Sequence, residues 1–117
     1  MPDTESSATP GYTGTKSMNQ LTPQQLKEWM HSGKDFLLVD IREGWEREAY
    51  NIGGIHIPLG ELMSRSKELP SGKEVVLYCE KGISSVIAIQ RLEERGMDNL
   101  FNLTGGMKAW KGLTPLL

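Results

Sequence analysis

Apolar residues fall into short runs separated by polar, Gly- and Pro-bearing stretches, and the spacing within each run indicates what it forms. Thr22-Pro23-Gln24-Gln25 opens the first element. A hydroxyl at the N-cap, Pro at the first helical position and Gln at the third make a capping box. The helix is predicted from Pro23 to about Ser32, with Leu26, Trp29 and Met30 on one apolar face and Gly33 as its stop. Phe36-Leu37-Leu38-Val39, ending at Asp40, is a continuous apolar run of strand length, as expected of a strand covered on both faces in a parallel sheet. Val75-Val76-Leu77-Tyr78, ending at Cys79, is a second. Val86-Ile87-Ala88-Ile89 and Leu92 predict a helix stopped at Gly96, and Asn99 to Leu103 a further strand. This recurrence of strand and helix predicts an α/β domain: a three-layer fold with a mainly parallel central sheet flanked by helices and joined by right-handed crossovers. Ligands in such sheets bind beyond the carboxyl ends of the strands, and Cys79 stands at one.

Residues 1–15 are rich in Ser, Thr, Gly and Pro, with Met1, Ala8 and Tyr12 as their apolar groups, so this stretch reads as a disordered tail or linker before a domain over residues 16–117. With 38% hydrophobic and 24% charged residues, the chain has the composition of a globular domain. A net charge of −2 provides no excess of cations to neutralise a phosphate backbone, so no nucleic-acid partner is expected. The start has no basic segment followed by an apolar one, and no stretch has the length of a spanning helix; no membrane association and a cytoplasmic location are the expectations. His31 and His56 lack ligand spacing to each other or to Cys79, so neither a metal nor a cofactor is called for. The single cysteine cannot close an intramolecular disulfide. It is a packing residue, a reactive thiol, or half of an intermolecular bridge.

The sequence around it favours the reactive thiol. Cys79-Glu80-Lys81-Gly82-Ile83-Ser84-Ser85 joins a buried strand to a helix, so several backbone N–H groups can converge on one point and favour an anion. A thiolate there gains from the positive end of the helix and from Lys81. Gly82 allows a turn with positive φ, and Ser84 or Ser85 can cap the helix.

With its neighbours, this loop resembles the active-site loop of the rhodanese-like domains. The resemblance spans about residues 17 to 111, carried by Asp40-Ile41-Arg42-Glu43 after a central strand, Ile57-Pro58-Leu59 before a helix, the Cys79 loop, and Gly105-Gly106 followed by Trp110. It implies that Cys79 is the sulfur-carrying nucleophile and that the loop amides of Glu80, Lys81, Gly82, Ile83, Ser84 and Ser85 hold the terminal sulfur of its persulfide. Asp40 and Arg42 would brace the loop from a neighbouring strand end, the plainer alternative being a surface ion pair. Gly105 and Gly106 would turn into the last helix, with Trp110 packing as core.

The implied activity is that of a thiosulfate:cyanide-like sulfurtransferase without cofactor. A small-molecule or protein persulfide would donate sulfane sulfur, and a thiol, cyanide or a protein would accept it. Two departures qualify this. Many family members carry arginine where Glu80 and Ser84 stand, which leaves Lys81 as the loop's cation and disfavours dianionic thiosulfate. The stretch Tyr50 to Pro58 is more like the rhodanese domains attached to adenylyltransferases of molybdopterin and thiamin biosynthesis, which points to sulfur relay. Two other readings compete. A cysteine phosphatase or arsenate reductase needs an arginine six residues after the cysteine, where this chain has Ser85. A non-catalytic module of the same fold would bind a partner protein, a reading that Glu80 beside the thiol favours.

Overall fold

A computed structural model describes residues 18–113; the predicted tail at 1–15 lies outside them. Among the described residues, five strands form one sheet: β1 (Asn19–Leu21), β2 (Leu37–Asp40), β3 (Ile55–His56), β4 (Val75–Tyr78) and β5 (Leu100–Leu103). Their order is β1-β5-β4-β2-β3 and every pairing is parallel. The helices are α1 (Pro23–Ser32), α2 (Gly44–Ala49), α3 (Leu59–Leu62), α4 (Ser84–Glu94) and α5 (Gly106–Lys111), with a 3₁₀ turn at Ser66–Glu68. The predicted α/β fold is the observed one. Among the described residues, no helix is long and apolar enough to cross a membrane.

α1 is built as its sequence indicates. Gln25 N–H donates to Thr22 Oγ1 and Thr22 N–H to Gln25 Oε1, and Gly33 ends the helix at φ 74°. Alternation along β4 splits the core in two. Val75, Leu77 and Cys79 face the layer of Leu62, Ala88, Ile89 and Leu92, whereas Val76 and Tyr78 face that of Leu26, Leu103 and Met107. Burial on both faces is why this strand reads as an unbroken apolar run. Each fully buried leucine contributes about 1.5–3 kcal/mol relative to an exposed one. Trp110, expected as core, is half-buried and packs against the second layer.

The register places Asp40 of β2 beside Tyr78 of β4. Two strands therefore end side by side, and the chain leaves β4 directly into the Cys79 loop. Gly106 brings α5 against that loop from below: a Cβ there would lie 2.5 Å from the Cys79 carbonyl oxygen and 2.6 Å from the Gly82 nitrogen, at φ 62°. The close approach lets Met107 N–H donate to the Cys79 carbonyl (2.9 Å) and Lys108 N–H to that of Glu80 (2.8 Å).

Candidate active site

Cys79 is buried, and its sulfur lies at the mouth of α4. Gly82 N–H donates to Sγ at 3.1 Å and Ser85 N–H at 3.4 Å, with the Ser85 hydroxyl 3.2 Å away. Gly82 adopts φ 81°, the positive value expected for the turn, and its Cα lies so close to α5 that a Cβ would be 2.7 Å from Gly105 N. The expected serine cap is absent. Ile83 occupies the N-cap position without a side-chain bond, and the Ser85 amide, an otherwise unpaired donor of the first helical turn, is directed at sulfur. Sulfur thus does for α4 what a capping oxygen would do, at the helix end that favours negative charge.

The rest of the loop divides by exposure. Lys81 and Ile83 are exposed, and Lys81 has no ion pair among the described residues. Glu80 is partly buried, and its Oε1 lies 3.4 Å from Arg42 Nη1. Ser84 lines a groove of about 240 Å³ between α3 and α4, whose walls include Leu59, Met63, Ile87 and Arg91.

Asp40 and Arg42 are buried, so the surface ion pair is excluded. Arg42 grips the Asp40 carboxylate in a fork, Nε to Oδ1 and Nη2 to Oδ2 at 3.0 Å each, and its backbone N–H donates to Oδ1 at 2.9 Å. Nη2 also reaches the Tyr50 carbonyl at 2.6 Å, and Arg47 Nη1 approaches Asp40 Oδ2 at 3.3 Å. Burial pushes the Asp40 carboxyl up, but the hydrogen bonds and charge of Arg42 outweigh it and hold the group below its usual value. Burial likewise lowers and Asp40 raises Arg42, with a net rise, while burial and then the Asp40 charge push the Tyr78 phenol up to about 12. His56 turns Nε2 to the Arg42 carbonyl (2.8 Å), and His31 is exposed at the end of α1.

Residues that the sequence reading missed lie on the other side of sulfur. The Ser85 hydroxyl donates to Oδ1 of Asn102, a buried residue of β5. Asn102 Nδ2 donates to Gln20 Oε1 at 3.0 Å, as does Thr104 Oγ1. The available signal was position: Asn102 falls on the face of β5 that meets α4, where an apolar residue was expected.

Comparison with known proteins places these features in a family. The model of the Rhodanese-like domain matches residues 22–113. MoeZ of Mycobacterium tuberculosis, named a probable adenylyltransferase/sulfurtransferase, is 30% identical over 93 residues, which are 77% of this chain and 24% of MoeZ. The chain therefore spans about a quarter of that relative. The thiosulfate sulfurtransferase GlpE of Coxiella burnetii is 31% identical over 83 residues, 70% of this chain and 78% of GlpE. Among solved structures, a rhodanese-like domain protein from Staphylococcus aureus superposes with TM-score 0.74 at 26% identity, covering 80% of this chain and 91% of its own.

Proposed function

The chain belongs to the rhodanese-like domain family, and from that premise we propose that it transfers sulfane sulfur through a persulfide on Cys79. One observation carries the reading: two backbone N–H groups converge on a buried sulfur at the N-terminus of α4. A nucleophilic sulfur needs its anionic form favoured without a permanent covalent or ionic partner, and fixed amide dipoles supply that.

The reaction has two half-steps. The Cys79 thiolate attacks the outer sulfur of a donor R–S–S⁻ or of thiosulfate, the bond to that sulfur breaks, and the thiolate R–S⁻ or sulfite leaves with the electron pair. An acceptor thiol or cyanide then attacks the outer sulfur of the persulfide and returns the Cys79 thiolate. The chain has one cysteine, so a second molecule completes each turnover. Asp40 and Arg42 act by holding the loop, and Glu80 is held in turn by Arg42. The naming of GlpE favours thiosulfate as donor, and that of MoeZ as an adenylyltransferase/sulfurtransferase supports sulfur transfer without specifying the donor. As donor, a persulfide carried by another molecule suits the loop better than thiosulfate, since Lys81 is the one cation of the loop available to a dianion. The cytoplasm suits a free thiol of this kind.

Steady-state kinetics with thiosulfate or an organic persulfide as donor and cyanide as acceptor test the reading. Parallel double-reciprocal lines are expected, with no turnover above background in Cys79→Ser. Turnover that survives in Cys79→Ser would overturn it.

A further inference from the structure

Asn102 is a buried amide on β5, an interior strand next to the edge of a parallel sheet, a position where a carboxamide is costly unless both of its polar atoms are used. Both are used. Oδ1 accepts from Ser85 Oγ, and Nδ2 donates to Gln20 Oε1, which also accepts from Thr104 Oγ1. The row runs from the edge strand β1 through β5 to the sulfur. Its direction matters because Ser85 has one hydroxyl proton and two neighbours that could take it, Asn102 Oδ1 and Cys79 Sγ. With that proton on the Asn102 side, Ser85 presents a lone pair to sulfur.

We propose that Asn102 is a positioning residue for Cys79, drawing the Ser85 hydroxyl proton away from sulfur and so favouring the protonated thiol over the thiolate. In the thiol state S–H donates to Ser85 Oγ and Ser85 O–H donates to Asn102 Oδ1, so each proton has one acceptor. When the thiol proton leaves to solvent, the Ser85 hydroxyl turns to the thiolate and Asn102 Oδ1 gives up a donor. In the persulfide the inner sulfur is divalent and uncharged, and the hydroxyl returns to Asn102. Asn102 thus sets a counterweight to the amides of Gly82 and Ser85. The thiolate forms when needed, yet keeps the nucleophilicity that over-stabilisation would remove.

The inference rests on Cys79 as the reacting sulfur, and its test reads the thiol itself: the pH dependence of iodoacetamide alkylation of the full chain. In Asn102→Leu the Ser85 proton is free to stay on sulfur, so the profile moves to lower pH by roughly 0.5 to 1 unit, the effect of about one hydrogen bond. In a Ser85→Ala background the same substitution moves nothing. Gln20→Met, made at an exposed edge position, loosens the Asn102 amide without touching the core and gives a smaller shift of the same sign. The charged and titratable groups around the loop are Asp40 of β2, Arg42 after it, Arg47 of α2, His56 of β3, Tyr78 of β4, Glu80 and Lys81 in the loop, Arg91 of α4 and Lys108 of α5, and all are common to every variant. No shift in Asn102→Leu, a shift to higher pH, or one that persists with Ser85→Ala overturns the proposal; if Asn102→Leu does not fold, an unshifted Gln20→Met does so. Loading of sulfur onto the native chain is measured separately, so failure of the proposed function leaves a distinct record.

Discussion

On the β2 side of Cys79 lie two carboxylates and two guanidiniums, Asp40, Glu80, Arg42 and Arg47; on the β5 side lie a serine, an asparagine, a glutamine and a threonine. The charged set is balanced two against two and spends its hydrogen bonds on itself and on the carbonyls of Tyr50, Gly53 and Gly54. The neutral set is the one that touches sulfur, through Ser85. A full charge in contact with the thiol would bias one protonation state strongly, whereas hydroxyls and amides can reorient at small cost as sulfur passes between states. Under the proposed function, charge shapes the loop and neutral dipoles attend the chemistry.

Breaking the charged side should therefore cost stability first. Arg42→Met leaves the buried Asp40 carboxylate with Arg47 as its remaining cation, and a loss of about 3–5 kcal/mol is expected in urea unfolding. The pH dependence has a definite sign. Because the folded state holds the Asp40 carboxyl low, its contribution is present above the unfolded value near 4 and is lost as pH falls through the lower folded value. Asp40→Asn should be less stable at neutral pH and show a shallower acid limb; an acid limb as steep as the native one would remove Asp40 from this role.

Next in size is Gly106→Ala, which adds a Cβ against the Cys79 carbonyl at a positive φ. About 2 kcal/mol of stability should be lost, together with most of the activity, because the Cys79 and Glu80 carbonyls lose their donors on α5. Unimpaired sulfur transfer would show that α5 does not hold the loop.

The smallest effect sharpens the contrast. Glu80 stands where many family members carry arginine, but Arg42 already offsets its charge. Glu80→Arg should accordingly raise thiosulfate kcat/KM by only about three-fold, less as salt is added, while costing below about 1 kcal/mol of stability through its nearness to Arg42. A gain of ten-fold or more would mean that residue 80 faces the donor and that charge does enter the chemistry.

The contrast also explains what could be read in the sequence. β2 and β4 declare themselves as apolar runs, β5 as a run interrupted by Asn102, and α1 by its capping box, because each is specified by local chemistry. α2 does not: none of its residues is buried, so it carries no periodic apolar signal, and its N-terminus is capped by Glu43 and Glu46. β1 and β3 are three and two residues long, too short for alternation to show. At the site, the loop from Cys79 into a helix was visible, as was the positive φ at Gly82. Partners fixed by tertiary contact were not: Ser85 bonds across to β5 rather than capping its own helix, and Glu80 is claimed by a residue 38 positions away.

The central claim is that Cys79 carries the sulfur, and intact-mass spectrometry of the native chain after exposure to a sulfane donor tests it most directly. The account predicts a gain of one sulfur atom on the native protein, its removal by cyanide, and no gain in Cys79→Ser. A native chain that takes up no sulfur from thiosulfate or from an organic persulfide, or a Cys79→Ser chain that does, would contradict it.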